Sequence, residues 1–243
     1  MDDPKKINLN EDSTYMLIKE SLLRGIRCFY NDPNWVQVNI KSKNILESKV
    51  IQLYLDKKEK LQYSKKDMLN KNLEFFDAIF IRQDPPFDMS YISNTYLLEK
   101  LNKPMIINNP TEIRNYPEKH IMMNFPALTP PTLISSNIDN IIKFIHKQKN
   151  VVLKPAYGNG GLGIIRINNK QKNLKSFLKK YFDKFSKNPV ISQKFLKNYH
   201  KGDKRIILVN GEVKGSVLRI PKKNSLKANF HAGGIALKTS LTI

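Results

Sequence analysis

Four glycines crowd into the six positions from Gly158 to Gly163, between the apolar runs Val151-Val152-Leu153 and Ile164-Ile165-Arg166-Ile167. Few local structures accommodate that. Each run has the length and β-branched content of a buried strand, and Lys154-Pro155 ends the first. The chain must then turn back through a loop whose glycines permit positive φ and a close approach of backbone to a ligand. Successive free N–H groups in such a turn form a concave anion site, and Lys154 adds a full positive charge just ahead of it. The pattern points to a phosphate cradle for a nucleotide, with a plain tight turn as the alternative. It is not a Walker loop, because the lysine precedes the glycines and no Gly-Lys-Ser/Thr follows. It is not a dinucleotide fingerprint, because a strand rather than a helix follows. A glycine-rich flap between two antiparallel strands remains.

The rest of the chain has to supply what such a flap closes on. Its 243 residues allow one large domain or two ordinary ones. No apolar run approaches the length of a membrane span, and the stretch from Met1 to Lys6 lacks the apolar core of a secretory signal. The single cysteine, Cys28, excludes an internal disulfide and fits a reducing cytosol, with packing in a strand as its expected role. A cytoplasmic protein with no membrane partner is expected. The net charge of +21 invites a nucleic-acid reading. Its lysines are scattered, however, as in Lys170, Lys172, Lys175, Lys179, Lys180, Lys184 and Lys187, and no basic block carries interleaved aromatics. No specific nucleic acid is expected, although the field favours anionic ligands.

In chain order, Asp12-Ser13 is a helix N-cap signal, and Gly25 ends that helix. Met16, Leu17, Leu22 and Leu23 are expected to supply much of its apolar face. Strands are expected at residues 26–30, 35–40 and 49–55, with a turn at 41–44, and a buried strand from Phe75 to Ile81 runs into Arg82-Gln-Asp84-Pro-Pro-Phe-Asp88. A helix over 91–101, a strand over 105–108 and a helix opened by Asn109-Pro110 follow. The alternation suggests a doubly wound layer. Such a layer usually opens with a strand, whereas here a loop and a helix come first. A further helix over 118–123 and a proline-rich linker over 125–132 lead to a strand beginning at Thr132. An amphipathic helix over 138–146, the flap, a helix over 173–186 and a strand over 189–196 come next. Asn210-Gly211 joins strands 204–209 and 212–220 in a hairpin.

These pieces stand in a recognisable order. Lys119 and Lys154 precede Gln193-Lys194-Phe195-Leu196, then Gly202-Asp203-Lys204-Arg205, Arg219-Ile-Pro221 and Asn229-Phe-His-Ala-Gly233-Gly234. With Ile7 to Ser13, Arg82 to Asp88, Asn109-Pro110, Glu118-Lys119 and Leu128-Thr-Pro130, this order resembles the ATP-grasp ligases, and among them the bacterial glutathione synthetase family. The resemblance runs nearly end to end. It implies an α/β (α+β) fold: an N-terminal doubly wound pre-ATP-grasp domain over residues 1–118 and an ATP-grasp domain over residues 119–243, incomplete at the C-terminus. The family's opening strand has no counterpart here.

The implied reaction phosphorylates the carboxylate of γ-glutamylcysteine with ATP, and the amine of glycine then attacks the acyl phosphate. Bringing polyanions together requires surrounding cations. By resemblance, Lys119 and Lys154 hold ATP phosphates with Gly158, Asn159, Gly160 and Gly161 of the flap. Gln193, Lys194, Phe195 and Leu196 form the hinge against which adenine lies, and Asp203 accepts from the ribose. Arg205 and Arg219 are the expected catalytic guanidiniums. Arg82 and Asp84 border the peptide substrate, and Asn229, Gly233 and Gly234 belong to a closing loop. The bland alternatives are a solvated helix lysine for Lys119, surface ion pairs for the arginines and a hairpin-edge carboxylate for Asp203. Magnesium or manganese accompanies ATP in the family, but no metal ligand is assigned in this chain. A homo-oligomer stays open. The competing readings are an inactive nucleotide-binding fragment, another ATP-grasp amino-acid or peptide ligase and a basic nucleic-acid binder.

Overall fold

The computed structural model describes Met1 to Leu241 apart from residues 2, 5, 6, 8–11, 41–43, 159, 186, 187, 223, 224, 226, 227 and 229–232. Asn159, Asn229 and residues 41–43 of the turn expected at 41–44 therefore lie outside the described residues. The chain divides into two compact units, Met1–Glu118 and Lys119–Ile243. Among the described residues, no helix is long and apolar enough to cross a membrane.

Unit 1 opens with helix α1 (Ser13–Leu23), started by Asp12, whose carboxylate accepts from the amides of Thr14 (2.6 Å) and Tyr15 (3.1 Å). That satisfies two of the four amides a helix start leaves unpaired. We expect Asp12→Ala to lower unit 1 stability by about 1 kcal/mol, read by urea denaturation. The buried side of α1 differs from the expected one. Thr14 and Tyr15 are buried and Ile18 and Leu22 pack on the core, while Met16, Leu17 and Leu23 are exposed. An apolar stripe at helical spacing does not say which part of it the sheet covers.

β1 (Cys28–Tyr30), β2 (Gln37–Ile40), β4 (Leu61–Gln62) and β5 (Met68–Asn72) all pair antiparallel with the long β3 (Asn44–Leu55). Cys28 lies in β1 opposite Leu53, and burial pushes its thiol pKa up. Tyr30, Ile51 and Leu53 form one apolar cluster, and Leu46, Leu73, Leu98 and Leu101 another.

A separate parallel pair joins β6 (Ala78–Phe80) to β7 (Met105–Ile107) through α2 (Met89–Leu98), and α3 (Pro110–Asn115) follows its Asn109 cap. Among the described residues this is the parallel pairing in unit 1, beside the antiparallel meander. The buried strand expected over 75–81 is shorter and more open. Leu73–Phe75 is a 3₁₀ turn, β6 covers only Ala78–Phe80, and Phe80 is half exposed. Phe76, Ile79 and Ile81 pack on the Leu46 cluster, and the run also borders a cavity.

In unit 2 the segment expected as a helix over 118–123 is a 3₁₀ turn, Ile121–Asn124. A four-stranded antiparallel sheet follows, in the spatial order β10 (Ile165–Asn168), β9 (Asn150–Pro155), β11 (Val190–Lys194), β8 (Thr132–Ser135). Helices α4 (Ile138–Gln148) and α5 (Leu174–Phe185) cover one face. Ile141, Ile145, Leu178 and Tyr181 pack there against Val151, Leu153, Ile167 and Val190. Burial alternates along β9, so Val151, Leu153 and Pro155 point to the helices and Val152 and Lys154 to the opposite face.

β12 (Asp203–Val209) and β13 (Glu212–Ile220) form the expected hairpin, with Asn210 (φ 51°) and Gly211 (φ 79°) in the left-handed turn. Every residue of β12 is exposed. A strand that the sequence reading did not anticipate, β14 (Ile235–Lys238), pairs with β13 on its other side.

Candidate functional site

The flap is built as its sequence demands. β9 and β10 pair antiparallel, Ile165 opposite Leu153 and Ile167 opposite Val151, and the glycines lie between them. Gly160, Gly161 and Gly163 take positive φ, whereas Gly158 does not. At Gly163 the requirement is twofold. Its φ is +72°, and a Cβ would stand 2.7 Å from Pro155 Cγ and 2.9 Å from Phe185 Cδ1. Tyr181 of α5 donates its hydroxyl to the Gly163 carbonyl at 2.8 Å. The helix layer thus fixes the returning end of the flap.

Cross-strand partners share a face of the sheet. Lys154 is opposite Ile191, Gln193 is opposite Val152 and Thr132, and Arg166 is opposite Val152. Lys154, Gln193, Thr132 and Arg166 therefore gather on the face that the helices leave open. Lys154 Nζ donates to Gln193 Oε1 at 2.8 Å, and Gln193 Nε2 donates to Thr132 Oγ1 at 2.9 Å. Burial first, and then the charge of Lys119, push the Lys154 ammonium below the usual lysine range.

Lys119 is no solvated helix lysine. Its Nζ donates to the carbonyls of Pro155 (2.8 Å) and Gly158 (2.6 Å), which bracket the base of the flap. His120 stacks on Tyr157 between those two carbonyls, with ring centroids 5.3 Å apart. Two lysines 35 positions apart in sequence thus meet at the glycine loop, one on its carbonyls and one on the strand that leads into it.

The hinge after β11 presents a particular set of backbone groups. Lys194 N–H donates to Pro131 O at 2.9 Å and Phe195 N–H to Asn150 O at 3.0 Å. Pro131 has no N–H to return, so the Lys194 carbonyl receives no amide from that neighbour. Among the described residues, the N–H of Leu196 has no partner. A free acceptor and a free donor therefore stand two residues apart on an exposed stretch. The guanidinium of Arg166 lies 4.1 Å from the centroid of the Phe195 ring and donates to Asn150 Oδ1 at 3.2 Å. Neither Arg166 nor Pro131 stood out in the sequence. Arg166 could have been found from its register on the flap's return strand, and Pro131 carried no signal beyond that of a linker.

Asp203, Arg205 and Arg219 form a second group. The hairpin sets Asp203 opposite Arg219 and Arg205 opposite Val217, so all three share a face. The carboxylate of Asp203 is held by the Arg219 guanidinium, through Nε at 3.2 Å and through Nη2. Gly233 lies at φ +80° against the Lys222 side chain, and Gly234 leads into β14.

In unit 1, Arg82 donates to Thr14 Oγ1 (3.0 Å) and Ser13 Oγ (2.8 Å), which ties the loop after β6 to the start of α1. Burial first, then Asp84, push the Tyr91 phenol up, while Arg82 acts in the other direction. Arg82, Asp84 and Tyr91 are thus electrostatic neighbours. Among the described residues, no three of His, Cys, Asp and Glu gather in a way that could hold a metal ion. The described residues do not fit a magnesium site.

Known proteins resemble this chain along its whole length. Residues 118–243 match the model of the prokaryotic glutathione synthetase ATP-grasp domain, and residues 1–114 that of the prokaryotic glutathione synthetase N-terminal domain. The whole chain is 35% identical to a glutathione synthetase of Brucella melitensis, covering 77% of it. It is 40% identical to one of Bradyrhizobium diazoefficiens, covering 76% of that protein. Among solved structures, the macrocyclase MdnC of Microcystis aeruginosa, bound to its precursor peptide, aligns over 96% of this chain and 76% of its own, with TM-score 0.56 and 13% identity. The D-alanyl-alanine synthetase A of Vibrio cholerae aligns over 94% of this chain and 70% of its own, with TM-score 0.52 and 16% identity. At such identities these two structures show an ATP-grasp fold and nothing finer.

Proposed function

The chain belongs to the prokaryotic glutathione synthetase family, and from that membership we propose that it joins γ-glutamylcysteine and glycine to give glutathione, using ATP bound in unit 2 between the flap and the hinge. The observation that carries the placement of ATP is the convergence of Lys119 and Lys154 on the glycine loop, beside a hinge with one free acceptor and one free donor.

Each feature has a task. The Lys194 carbonyl accepts from the exocyclic amine of adenine, and the Leu196 N–H donates to the adjacent ring nitrogen. Guanine presents an acceptor where adenine presents that amine, so the hinge selects ATP over GTP. Phe195, backed by Arg166, supplies an apolar wall. Lys154 and Lys119 hold the triphosphate under the flap, whose glycines let its backbone lie close to the phosphates. A carboxylate becomes a good electrophile only when one of its oxygens can leave. Phosphorylating it makes that leaving group, and the cations offset the charge brought together. Arg205, and Arg219 once it releases Asp203, are suited to the acyl phosphate, because a guanidinium fork matches its oxygens. Asp203 then turns to the ribose. Arg82 and Asp84 of unit 1 are assigned to the peptide substrate. Gly233 and Gly234 belong to the closing loop, which keeps water from the acyl phosphate. The family's magnesium enters no step here, because the described donors do not fit it.

The test is a coupled assay of ADP release with product identified by mass. The proposal expects ADP only when γ-glutamylcysteine and glycine are both present. Turnover confined to other acceptors would assign a different amino-acid ligase. Nucleotide binding without turnover would leave an ATP-binding module.

Lys154 also sets a pH dependence. Its folded pKa lies below the ordinary 10.5, so on raising pH it sheds its proton in the folded protein before it does in the unfolded chain. Its charge therefore disfavours folding below that depressed value, and this penalty fades as pH rises from there towards the ordinary value. A bound polyanion stabilises the ammonium and draws its pKa back up. We expect ATP binding to take up protons on the alkaline side, with affinity falling as pH rises through the depressed value. Calorimetry in two buffers of different ionisation enthalpy reads this, and no proton uptake in wild type would remove Lys154 from the phosphates.

A further inference from the structure

Gln193 is held by two groups that can only accept from it. Its Nε2 donates to Thr132 Oγ1 at 2.9 Å and to Met122 Sδ at 3.8 Å. A thioether has no proton to give. A hydroxyl has one, and that of Thr132 is committed elsewhere, because Oγ1 donates to the Pro130 carbonyl at 2.6 Å. With the NH2 fixed on that side, the amide oxygen faces the other way, where it accepts from Lys154 Nζ at 2.8 Å. The groups form a relay of one polarity. Lys154 donates to Gln193, Gln193 to Thr132 and Thr132 to Pro130. Turning any member round would set two donors against each other. The far end of the relay is rigid. Proline rings fix φ at Pro130 and Pro131, and strand register then sets Thr132 opposite Gln193. The same two prolines carry the Pro131 carbonyl that takes the Lys194 N–H. A segment that reads as a linker in the sequence thus positions both the lysine and the hinge.

We propose that Thr132 is a positioning residue for Lys154, acting through the amide of Gln193 with Met122 as a second anchor, so that the ammonium is already orientated on the open face when the nucleotide arrives. This rests on ATP lying under the flap. The ammonium needs such a hold. Its stem is long and flexible, Lys119 repels it, and Arg166 on the same face is also a cation. Among the described residues, no carboxylate is among the groups that shift its ionisation, and its acceptor is Gln193 Oε1. A neutral amide suits the task better than a carboxylate. It orientates the lysine and leaves the full charge for a polyanion, whereas a carboxylate would pair with that charge and compete.

The experiment compares two variants of the full chain. Thr132→Val keeps the branched shape of the side chain and loses the hydroxyl, whereas Thr132→Ser keeps the hydroxyl. Calorimetry measures ATP affinity and proton uptake. Carbon-13 NMR of the lysine Cε groups follows the ionisation of Lys154 in the nucleotide-free chain, its signal identified by its loss in Lys154→Ala. We expect Thr132→Val to bind ATP about 2- to 12-fold more weakly, the range for one neutral hydrogen bond. It should lower the Lys154 pKa by about 0.4–1 pH unit, so that proton uptake on binding sets in at lower pH. Thr132→Ser should match wild type in all three. In a Gln193→Leu background, Thr132→Val should have no further effect, because its influence passes through that amide. The proposal is overturned if Thr132→Val leaves the Lys154 pKa where it was, whatever its affinity, or if Thr132→Ser fares no better. Should Thr132→Val fail to fold, Gln193→Leu must lower that pKa instead, and an unmoved value overturns the proposal equally. Unchanged ATP affinity in Lys154→Ala is a different failure. It removes ATP from the flap, while the NMR titration still decides the relay.

Discussion

Lys154→Ala weakens ATP binding by about 10- to 150-fold, the equivalent of the roughly 1.5–3 kcal/mol that a charged hydrogen bond contributes. The expectation rests on where the ammonium sits. It is half-buried on the open face of the sheet and orientated by Gln193, which Thr132 anchors in turn. It also lies close enough to Lys119 for the two charges to repel. The hydrogen bond to Gln193 is offset by the burial and the Lys119 repulsion that disfavour the charged form. Removing it should therefore leave the melting temperature unchanged or raise it while affinity falls. Opposite signs for binding and stability mark a residue kept for its ligand. Titration calorimetry and a thermal melt on one sample read both, and unchanged affinity for ATP would move the nucleotide away from the flap. Lys149→Ala, at the end of α4, is the matched control and should alter neither.

Gly163→Val lowers stability by roughly 2–5 kcal/mol, the sum of left-handed strain of about 1–2 kcal/mol and overpacking of about 1–3 kcal/mol. The added Cβ would overlap Pro155 Cγ and the Phe185 ring. For a chain of this length that corresponds to a fall in melting temperature of roughly 4–20 °C. Gly160→Ala isolates the first contribution. Its φ is +57°, but nothing lies within 4 Å of the added Cβ, so it should lose only about 1 kcal/mol. If the two variants melt together, Gly163 is not held between β9 and α5 as described.

The local rules were legible in the sequence where one residue type answers one geometric demand. Asp12 and Asn109 cap their helices, Asn210-Gly211 turns its hairpin, and the glycine cluster lies between two antiparallel strands. What a periodic pattern faces was not legible. The apolar run at 75–81 reads as buried, but whether anything covers it depends on strands elsewhere in the chain. β14 was missed because Ile235-Ala-Leu-Lys238 is too short to announce itself without the β13 edge that pairs with it.

The same division holds at the site. Lys154 stood out by its place before the glycines. The grip of Lys119 on the Pro155 and Gly158 carbonyls needs the chain folded, because 35 intervening positions hide it. The pairing of Asp203 with Arg219 follows from hairpin register, which the turn fixes and the charges alone do not.

The outermost strand of the hairpin sheet bears on how the protein behaves in the test tube. Ile206, Ile207, Leu208 and Val209 are each 40–57% exposed, and their strand bonds only to β13 among the described residues. Uncharged, mostly β-branched and open along one side, this quartet is the natural seed for cross-β stacking between molecules. Concentrated stocks will cloud from here first. A single lysine in place of Ile207 is the simplest way to keep them clear.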